Sequence, residues 1–171
     1  MRSQMSMLQM MYNMTRKKKS VNIKNAEIVK REAYVNVLKK ITKEGMCPFC
    51  EKHLMKHHPN PIIFKGNHWL VTENGWPYEG TKQHFLLIPR KHIESIEQIK
   101  AESWSELQRH LRKLQKEYPF AGGTFFIRSG DVKYTGATVQ HLHANVVVGK
   151  KRNKITDAIR VVIGFKKGPS S

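Results

Sequence analysis

The run Thr138-Val139-Gln140-His141-Leu142-His143-Ala144-Asn145-Val146-Val147-Val148 reads with period 2, and this alternation limits the fold more than any other stretch. Read as a strand, it has two unlike faces. Val139, His141, His143, Asn145 and Val147 point one way; Leu142, Ala144, Val146 and Val148 point the other. Alternate residues on one face stand about 6–7 Å apart. Two imidazoles and an amide therefore form a polar row with an aliphatic face behind it. The plainer reading is a half-exposed strand that carries two histidines by chance. Histidine forms strands less readily than the surrounding valines, so two on one face point to a function.

A chain of 171 residues is read as one domain with extensions, long enough to bury a core. No apolar run reaches the length of a membrane span, so no membrane association is expected. The net charge of +18 is unevenly spread. Residues 1–45 hold 11 Lys/Arg against 3 acids and residues 149–171 hold 7 against 1, which puts +14 of the total in the two ends. Basic ends suit RNA, DNA or an acidic surface; solvated tails are the alternative. The only cysteines, Cys47 and Cys50, make no disulfide framework. A cytoplasmic location is therefore expected. Residues 1–20 read as a disordered basic segment. Met7, Met10, Met11 and Met14 have helical spacing and no acid precedes Glu27, a weak likeness to a mitochondrial transit peptide. A flexible start, or a start codon set too early, competes with it.

Along the chain, Ile28, Val35, Leu38 and Ile41 line one side of a helix expected from Val21 to Glu44, with Gly45 as its stop. Cys47-Pro48-Phe49-Cys50 follows, then a loop to Pro61, since Pro59 and Pro61 oppose a helix. Ile62–Phe64 and His68–Thr72 read as paired strands around Gly66-Asn67, and His84–Pro89 as a central strand. Ser103-Trp104-Ser105-Glu106 reads as a capping box. The helix it opens has Trp104, Leu107, Leu111, Leu114 and Tyr118 on a core-facing stripe. Thr124–Arg128 is the next strand, Gly130–Gly136 a loop, and Ile159–Phe165 a further edge strand. The whole reads as an α+β domain, an antiparallel sheet with helices packed on one side, over residues 21–148, with a basic tail at 149–171.

Two thiolates spaced as in Cys47 and Cys50 are half of a tetrahedral zinc site. His92, at the end of the central strand, and His141 are the candidates for the other half. A redox dithiol and an unmetallated pair are the rivals. Redox motifs of this kind directly follow a strand and open a helix, whereas here a charged helix precedes and a loop is expected to follow. The second cluster lies before the histidine run. Gly130, Gly136 and Thr138 suit a cradle of N–H groups and a hydroxyl around an anion next to His143. An imidazole beside a bound phosphate can attack it and split one displacement into two. Arg128 would neutralise charge on the phosphoryl oxygens. A turn hydroxyl and a surface cation are the plain alternatives for Thr138 and Arg128. Trp76 and Tyr78 either stack on a base or pin their loop.

Ile62-Ile63-Phe64, then His84-Phe85-Leu86-Leu87-Ile88-Pro89-Arg90-Lys91-His92, then His141-Leu142-His143-Ala144-Asn145-Val146-Val147 together resemble the histidine triad (HIT) superfamily. The resemblance covers about residues 46–148. It implies a five-stranded antiparallel sheet and a nucleotide hydrolase or transferase that works through a nucleotidyl-histidine intermediate, with His143 as nucleophile. Zinc-bearing branches, including galactose-1-phosphate uridylyltransferase, imply Zn2+ on Cys47, Cys50, His92 and His141. The resemblance further implies a substrate pocket with Phe64, with Asn74 in the place of a ribose-binding acid, Thr138 as the phosphate-binding hydroxyl, and Arg128 where the family has a phosphate-side asparagine. A homodimer is common in that family.

Asn145 stands where the hydrolases have the third histidine; the uridylyltransferases have another amide there. An amide donates a hydrogen bond but cannot shuttle a proton. Asn145 therefore suits transfer to a second substrate, slow hydrolysis, or binding without turnover. An enzyme acting on a nucleoside-monophosphate-linked substrate, with His143, His141 and Asn145 in the catalytic set, is the leading expectation. A nucleic-acid or ribonucleoprotein binding module on an inactive HIT scaffold is the alternative.

Overall fold

The expected central strand, His84–Pro89, lies in the middle of a five-stranded antiparallel sheet. The computed structural model describes residues 20–28, 32–151, 154 and 158–166. The strands are β1 (Ile62–Lys65), β2 (Trp69–Glu73), β3 (Gln83–Pro89), β4 (Thr124–Arg128) and β5 (His143–Val148). Their order across the sheet is β1-β2-β3-β5-β4. In β3 His84 to Pro89 are all buried, as a strand covered on both faces requires.

Alternation sorts the two faces. Phe85 and Leu87 of β3, Ala144, Val146 and Val148 of β5, and Trp69 and Val71 of β2 form one core with Leu107 and Leu114 of the long helix α4 (Ala101–Glu117). His84, Leu86, Ile88, His143 and Asn145 belong to the opposite face. Leu70, Leu86 and Ile88 there pack against Leu54 of α3 (Glu51–His57). The expected α+β architecture is observed. Packing on one side holds for the long helix; α3 lies on the face that carries the histidines. The N-terminal segments α1 (Ile23–Ile28) and α2 (Glu32–Lys43) close on each other through Ala26, Val35 and Leu38.

Several local expectations are corrected. Glu51–His57 is helical: Leu54 N–H donates to the Cys50 carbonyl, and the chain turns extended at His58, before Pro59. The capping box is not used, because the helix begins three residues earlier, at Ala101 with Lys100 as its cap. Ser103 instead accepts from Trp69 Nε1, and Glu106 accepts from the N–H groups of Asn67, His68 and Trp69. The buried stripe of α4 is therefore turned toward Ser103, Glu106 and His110, and Trp104 is 37% exposed. Gly66 permits the close approach, since a Cβ there would stand 2.1 Å from Glu106 Oε1.

The histidine strand begins at His143 rather than Thr138. The residues before it find backbone partners outside the sheet. Asn22 N–H donates to Thr138, Gln140 N–H to Ser20 and Leu142 N–H to Ile93. Residues 158–166 form no strand; Val162 lies against the site face instead. Residues 1–19, most of the basic N-terminal segment, fall outside the described residues, as do 152–153, 155–157 and 167–171 of the basic tail. Among the described residues no helix is long and apolar enough to cross a membrane.

Candidate functional site

Three chain segments meet at the end of β3. Cys47 and Cys50 come from the turn that opens α3, His92 follows β3, and His141 precedes β5. Their four ligand atoms all lie within 4.8 Å of one another. Cys47 Sγ is 3.4 Å from His141 Nδ1, and Cys50 Sγ is 3.4 Å from His92 Nδ1. Zinc–thiolate and zinc–imidazole bond lengths in a tetrahedron set neighbouring S and N donors about 3.6 Å apart, so the four fit such an ion. The outer nitrogens agree. His141 Nε2 donates to the Pro89 carbonyl at 3.0 Å, and His92 Nε2 faces the Glu94 carboxylate at 3.5 Å. Each ring thereby turns Nδ1 inward, as partners of metal-bound imidazoles do.

Without a cation the two thiols and the His141 ring stay uncharged. Burial, then the neighbouring Cys50, pushes the Cys47 thiol up to about 12, and burial raises Cys50. Burial, then the facing His92, pushes His141 down to about 3. A divalent ion reverses that balance by drawing the thiolates out. The Cys-Pro-Phe-Cys turn does open a helix, contrary to the expected loop, but it follows α2 rather than a strand.

His143 lies one strand position beyond this cluster and is buried. Its Nδ1 donates to the His141 carbonyl at 2.7 Å, which leaves Nε2 as the unprotonated nitrogen. Burial lowers its pKa to about 4, with the Arg128 cation and His84 acting in the same direction. The ring is a neutral base at ordinary pH. The phenyl of Phe49, inside the cysteine motif, packs edge-on against both His143 and His141.

His143 opens onto a pocket also lined by Asn145, Asn74, Arg128 and Thr138. Five residues named from sequence are thus gathered in one place, beside the four metal-type donors. Phe64 is not among them. A register irregularity between Ile62 and Phe64 sends Ile62 to the site-face cluster and Phe64 to the α4 side, where its ring stacks on His110. The glycine cradle is partial: Gly136 lines the pocket, but Gly130 N–H is committed to the Glu94 carbonyl. Arg128 lies opposite His143 in the strand register. Its guanidinium donates to the carbonyls of Thr135 and Val162 and to the Tyr78 hydroxyl.

Sequence reading missed several contributors. Asn25 of α1 donates to the carbonyls of Val132 and Ala137 and so braces the loop before His143. Tyr34 of α2 meets Trp76 with ring centroids 4.7 Å apart, forming an aromatic wall of the pocket. His84 contacts Asn145, with Nε2 at 3.0 Å from Oδ1. For Asn25 and Tyr34 no pattern in the chain signals the contact; for His84 the only hint was a histidine opening an otherwise apolar strand.

The sequence model of the HIT domain matches residues 56–152, more than half of the chain, and the chain belongs to the HIT family. Among solved structures, the fold is similar to a HIT family hydrolase from Clostridium thermocellum, at 24% identity and a TM-score of 0.52, over 64% of this chain and 96% of that one. It is also similar to a histidine triad nucleotide-binding protein from Candida albicans, at 18% identity and a TM-score of 0.50, over 74% and 84%. A hypothetical protein from Leishmania major matches at 19% identity and a TM-score of 0.50, over 73% and 82%. The two cysteines, Phe49, Tyr34 and Asn25 all precede the matched segment.

Proposed function

We propose that this chain transfers or hydrolyses a nucleoside monophosphate group through a covalent nucleotidyl-His143 intermediate, with a zinc ion on Cys47, Cys50, His92 and His141. The observation that carries the reading is the polarity of His143. Its Nδ1 proton is spent on the His141 carbonyl, so Nε2 offers a lone pair beside Arg128 and Asn145. Attack by Nε2 on phosphorus forms the N–P bond and expels the leaving group; attack by an acceptor oxygen then breaks it. The names of the similar proteins, a HIT family hydrolase and a histidine triad nucleotide-binding protein, support this class of substrate.

Four protein donors fill a tetrahedron and leave no open position, so zinc here would have a structural role. This chain's residues do the rest. His141, held at its Nδ1, presents the carbonyl that orients His143. Arg128 places positive charge at the pocket wall, and the Asn145 amide donates a hydrogen bond without moving a proton. Asn145 thus favours transfer to an acceptor, or slow hydrolysis.

Intact-mass spectrometry after incubation with a panel of nucleotide donors tests the chemistry. A one-nucleotide adduct is expected on the wild type and none on His143→Ala; equal labelling of both would overturn the proposal. Elemental analysis of the isolated protein should find about one zinc per chain, and Cys47→Ser should lose it.

A further inference from the structure

His84 Nδ1 faces one main-chain donor, and an amide lies against the ring. The Tyr78 N–H points at it from 3.3 Å, and Asn74 Nδ2 lies 3.3 Å from each ring nitrogen. The Asn74 amide cannot turn round, because its Oδ1 accepts from the Trp76 N–H at 2.9 Å. One main-chain donor, the Tyr78 N–H, whose direction is not adjustable, therefore sets the sense of everything downstream. With Nδ1 accepting, the ring proton belongs on Nε2, which donates to Asn145 Oδ1 at 3.0 Å. The Tyr78 ring, tilted 33° to His84 with centroids 4.5 Å apart, holds the imidazole in place. Asn145 is left with a buried Nδ2 that has no partner among the described residues, on a side chain 2% exposed that lines the pocket beside His143.

We infer that the Tyr78 N–H, His84 and Asn145 form a hydrogen-bond relay of fixed polarity that keeps the Asn145 NH2 available to a phosphoryl oxygen next to His143. The task assigned to the relay rests on the nucleotide reading above. Asn74 spends its oxygen on the Trp76 N–H and lays its NH2 against the His84 ring, so it braces that ring rather than gripping a ribose. His84 is a positioning residue that acts through Asn145. An amide turned the other way would direct a carbonyl oxygen at an anion, and a buried N–H would be lost as a ligand. The relay starts in the loop that carries Trp76 on the pocket wall, so one hydrogen-bonded line joins that wall to the phosphoryl end of the site.

Two measurements on the full chain test it. Long-range proton–nitrogen NMR of the histidine rings, at neutral pH without ligand, should show His84 protonated at Nε2 and bare at Nδ1; the reverse tautomer would overturn the relay. Calorimetric titration with the four nucleoside 5′-monophosphates and inorganic phosphate supplies the second. His84→Leu and Asn145→Ala should each weaken binding about tenfold, the worth of one hydrogen bond to a charged group. His84→Gln, which can donate to Asn145 and accept from the Tyr78 N–H, should recover most of the loss, and His84→Leu should add nothing in the Asn145→Ala background. Additive losses, or a glutamine no better than leucine, would overturn the relay while leaving the nucleotide reading intact. A wild type that binds none of the five probes would overturn the nucleotide reading, and the relay's task with it.

Discussion

The two faces of the sheet are built from alternate residues of the same strands, yet they obey different rules. Toward α4, Phe85, Leu87, Ala144, Val146 and Val148 meet Trp69, Val71, Leu107 and Leu114 in an apolar core. On the opposite face, His84, His141, His143 and Asn145 are just as buried, and each must be satisfied by a specific hydrogen-bond partner. One face stabilises by removing apolar area from water. The other holds groups whose burial is unfavourable unless every polar atom is paired. Asn145 Nδ2 has no partner among the described residues, so pairing on this face is incomplete where packing on the other is not.

The sharpest break of this comparison is Trp69→Ala. That side chain is fully buried and donates to Ser103, and its loss should destabilise by about 3–5 kcal/mol in denaturant titrations. Glu106→Gln comes next. Burial works to raise this carboxyl, but the N–H groups of His68, Trp69 and Asn67 outweigh it and hold the group below the usual carboxylate range. Glutamine keeps one acceptor oxygen and aims an NH2 at Asn67, so a loss of about 1–3 kcal/mol is expected by thermal or chemical melting.

A smaller effect is the pH dependence contributed by His110 and His58. Burial lowers both pKa values from 6.5; for His110 it wins against the Glu106 carboxylate. The unfolded chain then binds more protons below about pH 6.5, so stability falls as the pH drops from there toward the folded-state values. His110→Phe should flatten that slope; an unchanged slope would show that His110 does not contribute. The smallest change in stability is expected from the double variant His84→Leu with Asn145→Leu. Replacing both partners of a buried hydrogen bond with apolar groups is close to neutral, within about 1 kcal/mol, and nucleotide binding should weaken about tenfold, no further than in either single variant. A large fall in melting temperature would mean that the site face supports the fold as the other face does.

Much of the site was legible because its residues carry chemistry that few other patterns need. Cys47, Cys50, His92 and His141 were named together from residue type, and their ligand atoms converge within 4.8 Å. His143, Asn145, Asn74, Arg128 and Thr138 share a pocket. Phe64 was misplaced because a strand's parity is readable only while its register is regular, and the ladder slips between Ile62 and Phe64. Glu106 fits a capping box equally well whether or not a helix begins there. Its three N–H donors come from residues nearly forty positions away, which no local pattern can report.

By itself, the sequence determined the alternation that buries one side of β5 and lines the other with imidazole and amide, because side-chain direction in a strand follows residue parity. It also determined the donor set of the metal-type cluster, since ligand chemistry belongs to the residue. Only the tertiary structure decided which way each polar group points. In the proposed relay His84 takes its tautomer from the Tyr78 N–H and passes a direction to Asn145. Hydrogen-bond polarity is a property of pairs brought together across the fold, and no residue carries it alone.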